Sequence, residues 1–145
     1  MAIRQISVFV PNQNGSLEKL VNILAEAQVD MRAMAIADTM EFGILRMIVK
    51  GHDKACEALR EAGYLVSQNE VTAVEIPDQP GGLANVVSIL AGRGVNIEYT
   101  YAFMTRSHGH ACVVFRVEDN ELVENILAQN GISCLKHGGN DEAPW

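Results

Sequence analysis

Two stretches of this chain follow one another, residue for residue, at a constant spacing of 66. The run Val10-Pro11-Asn12-Gln13-Asn14-Gly15-Ser16-Leu17 returns as Ile76-Pro77-Asp78-Gln79-Pro80-Gly81-Gly82-Leu83. Without a gap, Leu20, Val21, Ile23, Leu24, Ala25 and Val29 then fall on Val86, Val87, Ile89, Leu90, Ala91 and Val95, and Met31 falls on Ile97. Such a shared spacing is the mark of an internal duplication. It predicts two domains, 1–70 and 71–137, followed by a tail, 138–145. A lone unit of about 70 residues buries only about 60% of its unfolded surface and is marginal by itself. The halves are therefore expected to pack on each other or on a second chain.

The balance of charge narrows the partners. The chain carries 11 basic and 18 acidic residues, a net charge of −7, and both halves are acidic. Neither offers the basic stripe that a phosphate backbone requires, so nucleic acid is not an expected partner. No apolar stretch approaches eighteen residues and no leader pattern opens the chain, so no membrane partner is expected and the chain reads as cytoplasmic. Cys56, Cys112 and Cys134 lie far apart and make no CxxC pair. They read as small apolar residues in a reducing compartment, with neither a disulfide framework nor a zinc site.

Hydrophobic periodicity gives the same element order in each half. Ile3 to Val10 alternates as a strand. Leu17, Leu20, Val21, Leu24 and Ala27 form one face of a helix, Val29 to Asp38 is a second strand, and Thr39-Met40-Glu41 is a turn. Ile44 to Val49 is a third strand; a helix follows over Lys54 to Ala62, with Asp53 as its N-cap and Gly63 at its end. A fourth strand begins at Tyr64-Leu65-Val66. The second half reads as strand Thr72 to Ile76, helix Gly82 to Gly92 and strand Val95 to Met104. A loop around Ser107-His108-Gly109, strand His110 to Val117, helix Asp119 to Gln129 and strand Ile132 to Leu135 follow. Each half is thus β-α-β-β-α-β, which builds the α+β, ferredoxin-like arrangement: a four-stranded antiparallel sheet with both helices on one face. Only Ser67 to Val71 separates the halves, and joining the sheets side by side would cover their exposed edges.

The repeated turn carries the chemistry. It leads a strand into a helix N-terminus, where the first N–H groups lack intrahelical partners and the dipole is positive, a seat for a carboxylate. Gly81 and Gly82 admit a ligand close to the main chain, and Asp78 offers an acceptor for an ammonium group. A zwitterion fits that combination. The same residues also suffice for an ordinary turn and cap. His108 and His110 stand two residues apart without a nominated third ligand, so no metal is expected. Arg46 interrupts an apolar strand, and Tyr99, Tyr101 and Phe103 alternate on one face, which suits packing as well as ligand stacking.

The segments DQPGGLANVVSILAGRGVNIEYTYAF (78–103) and NQNGSLEKLVNILAEAQVDM (12–31) resemble the opening of ACT domains, small regulatory modules that typically bind amino acids. The D-x-P-G-x-L turn, the helix after it and the Val95-Asn96-Ile97 entry to the next strand carry the likeness. The first half departs from it at Asn14 and in Val29-Asp30-Met31. The resemblance covers nearly the whole chain and implies a stand-alone pair of ACT domains. It also implies ligand sites between domains, each formed by a turn and a neighbouring strand. On this sequence the turns are Asn12, Gln13, Asn14, Gly15, Ser16 and Leu17, and Asp78, Gln79, Pro80, Gly81, Gly82 and Leu83, each facing a partner strand of its neighbour. The partner strands are Met31 to Ala35, with Arg32, and Ile97 to Tyr101, with Ile97 and Glu98. Arg32 would then meet a carboxylate and Glu98 an amine; both residues read equally well as solvent-facing charges on strand edges.

Three functions follow. The first is a non-catalytic sensor of a small amino acid, self-associating as a dimer, that signals to a regulated enzyme by a change of conformation or assembly. The second is a scaffold subunit without a small ligand. The third is a small ferredoxin-like enzyme, for which fold alone is no objection. Against it, no nucleophile has an adjacent base and no phosphate loop is present, so neither catalytic residues nor a cofactor are nominated.

Overall fold

The computed structural model describes residues 2–38, 40–104 and 109–136. Thr39, His108 and the tail 138–145, for which expectations were given above, lie outside them. The chain divides into two compact units, Arg4–Asn69 and a second running from Glu70 onward.

In the first unit the elements are β1 (Ile3–Pro11), α1 (Ser16–Glu26), β2 (Asp30–Asp38), β3 (Phe42–Lys50), α2 (His52–Glu61) and the start of β4 (Val66–Pro77). Their strand order is β2-β3-β1-β4, with β3 antiparallel to both β1 and β2. Alternation decides which side of each strand is buried. Ile6, Val8 and Val10 of β1 and Leu45, Met47 and Val49 of β3 meet Leu20 and Leu24 of α1 and Ala55, Cys56 and Leu59 of α2 in one core. Both helices thus lie on the same face. The Gln5 amide donates to the Asn69 side-chain oxygen at 3.0 Å, tying β1 to the first residues of β4.

The second unit repeats the plan with the rest of β4, α3 (Gly82–Gly92), β5 (Tyr99–Ala102), β6 (His110–Arg116) and α4 (Asn120–Gln129), in strand order β4-β6-β5. Its core gathers Val74, Ile76, Val86, Leu90, Val113, Phe115, Val123, Ile126 and Leu127. Asp119 caps α4, its carboxylate accepting from the Leu122 N–H at 3.0 Å.

Several elements differ from the sequence reading. The strands expected at Tyr64 and at Thr72 are one strand, Val66–Pro77, because no glycine or proline interrupts the run before Pro77. The strand expected over Val95 to Met104 has a regular ladder only at Tyr99–Ala102. Val95 and Ile97 turn into the core instead, behind Gly94 at φ 76°. Ile132 to Leu135 reduces to a single bridge between Val74 and Cys134, flanked by bonds from the Glu75 N–H to the Ser133 oxygen and the Leu135 N–H to the Ala73 oxygen. Asp53 is not the cap of α2. Gly51, at φ 82°, takes that place, and Asp53 sits in the first turn, where it pairs with Arg4 at 3.0 Å. A carboxylate still suits that positive helix end. Among the described residues no helix is long and apolar enough to cross a membrane.

Candidate functional site at the repeated turn

The two strand-to-helix turns are built from the same bonds. The Gln13 N–H donates to the Pro11 oxygen at 2.9 Å, as Gln79 does to Pro77. Ser16 donates to Gln13 at 3.2 Å and Gly82 to Gln79 at 3.1 Å; Lys19 donates to Gly15, and Asn85 to Gly81, both at 3.0 Å. Gly15 (φ 84°, ψ −9°) and Gly81 (φ 86°, ψ −9°) hold the N-cap in the left-handed region, where a Cβ would be strained. Asn14 therefore replaces Pro80 with the same turn hydrogen bonds and the same glycine cap around it. A glycine cap also brings no side chain, and neither helix has a side-chain cap. Among the described residues the N–H groups of Leu17 and Glu18, and those of Leu83 and Ala84, meet no acceptor. Each turn thus presents two adjacent donors at the positive end of a helix.

Side chains then separate the two turns. A Cβ on Gly82 would collide with the carbonyl oxygen of Pro77, so the second turn closes over its helix start. Ser16 stands in that place in the first turn, and beside it opens a groove of about 100 Å³. Val10, Leu17, Ile36 and Gly43 form its apolar side; Pro11, Asn12, Gln13 and Ser16 form its rim. Of the residues expected at this site, Asn12, Gln13, Ser16 and Leu17 therefore share one groove, whereas Asn14 and Gly15 are exposed on the bend. Ile36 and Gly43 were not foreseen. The available signal was a glycine inside an otherwise apolar strand, which marks a close approach or a missing side chain.

The remaining candidates are placed as follows. Arg32 binds Asp30 at 3.1 Å where β2 slips its register between Met31 and Ala33. Within its own unit that is six residues, about 20 Å, along the strand from Asp38, the residue that faces Gly43. Glu98 binds Arg116 at 3.2 Å, and Ile97 packs against the second core. Asp78, Gln79, Pro80, Gly81 and Leu83 are exposed around the second bend, and the Asp78 N–H is taken by the Gly109 oxygen at 3.0 Å. Tyr99 and Tyr101 stack on each other, ring centres 6.5 Å apart.

The cysteines are free thiols. Burial, reinforced by the Glu75 carboxylate, pushes Cys112 up to about 12; burial and Glu124 push Cys134 up to about 11. Burial raises Cys56 as well, outweighing Arg60. At neutral pH none is a thiolate nucleophile. The unfolded chain gives up these protons first, around pH 9, so the stability these thiols contribute is kept at neutral pH and is lost as pH rises through 9 towards 11–12. The urea midpoint is expected to drop between pH 8.5 and 10.5, and to drop less in a Cys112→Ala, Cys134→Ala variant.

A family model described as an ACT domain pair matches residues 1–140. Among solved structures, protein BT0572 from Bacteroides thetaiotaomicron is 33% identical over 93% of this chain and 92% of that chain, with a TM-score of 0.86. The ligand-free regulatory subunit of aspartate kinase from Thermus thermophilus is 22% identical, covering 89% of this chain and 93% of that one, with a TM-score of 0.66. The corresponding subunit from Thermus flavus is 21% identical, at 89% and 92% coverage and a TM-score of 0.63. At these identities the two kinase subunits share the fold. No curated protein matches.

Proposed function

We propose, from the premise that the chain belongs to the ACT domain-pair family, that it is a non-catalytic regulatory protein whose first turn binds a small free amino acid. The observation that carries this reading is the groove at the start of α1, which sets two acceptor-free N–H groups beside an apolar hollow. A carboxylate would bond the Leu17 and Glu18 N–H groups, where the helix dipole favours an anion. The ammonium group would turn to the side-chain oxygens of Asn12 and Gln13 on the rim, and the side chain would enter the hollow. The raised thiols supply no nucleophile for a catalytic alternative. Three free cysteines fit a reducing compartment such as the cytoplasm. The regulatory subunits of aspartate kinase that share its fold offer a precedent for a protein of this size acting on an enzyme partner.

Thermal unfolding against each common amino acid tests the reading. A ligand at about 100 times its Kd stabilises by roughly 2.7 kcal/mol, which for a chain of this length raises Tm by roughly 5–10 °C. A selective rise is the expected outcome; a flat response to all of them at millimolar concentration would count against an amino-acid ligand.

A scaffold role also has an observation in its favour. Phe9 and Phe42 are 48% and 50% exposed, and their ladder partners, Ile44 and Pro11, make them diagonal neighbours on one sheet face. Self-association through that face, as a homodimer, would be seen as a concentration-dependent mass by sedimentation. Phe9→Ser would reduce it.

A further inference from the structure

We propose that Gly43 sets which amino acid the first turn accepts, by reserving a hollow for a short aliphatic side chain; the inference rests on the ligand reading above. Gly43 lies in β3 opposite Val10 of β1 and Asp38 of β2. A Cβ placed on it would stand 3.1 Å from Cγ2 of Ile36 and 3.7 Å from the carbonyl oxygens of Val10 and Ala37. Val10 and Ile36 line the groove with Gly43, so an added methyl would crowd Ile36 and narrow the hollow between them. The backbone gives no reason for the glycine, since Gly43 is not among the glycines with positive φ. A glycine inside a strand forgoes side-chain packing, and here it lets Ile36 come close and leaves the wall of the groove set back.

The second half shows the filled alternative. The pair Val10 and Gly43 corresponds in register to Ile76 and Ala111, and the Ala111 methyl packs against the second core. Ile36, opposite Leu45, corresponds to Ala102, opposite Val113. Two determinants of the hollow, an absent methyl on β3 and an isoleucine wall on β2, are therefore particular to the first half.

Size and polarity name the ligand class. The groove, about 100 Å³, holds roughly the volume of three waters, well below the pockets that take drug-sized molecules. That suits a side chain of three or four carbon atoms and excludes an indole or a nucleoside. None of the groove-lining residues is ionisable, so a charged ligand side chain would lose hydration without gaining a partner. Valine, leucine and isoleucine fit.

The test is thermal unfolding and titration of the parent, Gly43→Ala and Ile36→Ala with glycine, L-alanine, L-valine and L-leucine. The parent is expected to respond most to valine or leucine. Gly43→Ala should lose at least about tenfold in affinity for those two, the scale of one methylene in an apolar pocket, and keep its response to glycine and alanine. Ile36→Ala, which truncates a half-exposed wall, should shift preference towards leucine. If the parent responds and both variants keep its order and strength, the assignment of Gly43 falls while the ligand reading stands. If the parent responds to none of the four, the aliphatic-ligand inference is overturned, and the wider amino-acid screen decides the ligand reading by itself. Should Gly43→Ala fail to fold, an unchanged size preference in Ile36→Ala overturns the inference.

Discussion

Replacing Gly82 by serine, the residue at the matching position of the first turn, is expected to destabilise the protein by about 3 kcal/mol. The new Cβ would meet the carbonyl oxygen of Pro77, a main-chain atom at the end of β4 that cannot rotate away like a side chain. Relief requires the strand end to move, and the strand is held there by the ladder from Thr72 to Pro77 against β6. For a chain of this length the expected fall in Tm is roughly 6–12 °C. The reciprocal change, Ser16→Gly, removes no such obstacle and is expected to cost only about 1 kcal/mol or less, the usual penalty of glycine in a helix. Urea unfolding of both variants measures the contrast. Equal costs at the two positions would mean that the turns are not packed differently.

That contrast marks how far the sequence alone could be read. The duplicated apolar pattern was enough for the helices: Gly82–Gly92 is found with the bounds expected, and Ser16–Glu26 begins one residue before Leu17. Periodicity succeeds there because a helix buries one face whatever covers it. Strand limits were less legible. Where Val66–Pro77 continues and where Val95–Glu98 leaves the ladder depends on partners distant in sequence, and local preference does not encode those. The turn residues were legible as a motif, since glycine at a left-handed N-cap is a local requirement. The groove was not. Its far wall comes from Ile36 and Gly43, which reach Val10 only through the register of β1, β2 and β3. A missing methyl has no periodicity. Once the register is known, the difference between Gly43 and Ala111 separates two halves that the motif alone makes look equivalent.

Ser16→Asp tests the binding chemistry, because its effects on stability and on affinity should have opposite signs. Ser16 is the first residue of α1, half-buried at the rim of the groove. A carboxylate there faces the positive end of the helix and should stabilise the ligand-free protein by about 0.3–1 kcal/mol, towards the lower figure because Glu18 already lies in the first turn. The same carboxylate competes for the N–H groups of Leu17 and Glu18, which a ligand's carboxylate needs, and repels it. Two like charges 4 Å apart near a protein surface interact by roughly 4 kcal/mol before solvent and salt reduce it. A loss of about 2.7 kcal/mol, a hundredfold in Kd, is therefore expected. Ser16→Ala, which keeps the main-chain donors, should bind within about threefold of the parent, since a hydrogen bond from a neutral hydroxyl is worth little net. Calorimetric titration with the amino acid selected by thermal unfolding, beside the Tm of each ligand-free variant, reads both effects. A ligand-free Tm at or above the parent's rules out misfolding as the cause of lost binding. If Ser16→Asp binds like the parent, the ligand's carboxylate does not sit at the start of α1, and the polarity assigned to the groove must be reversed.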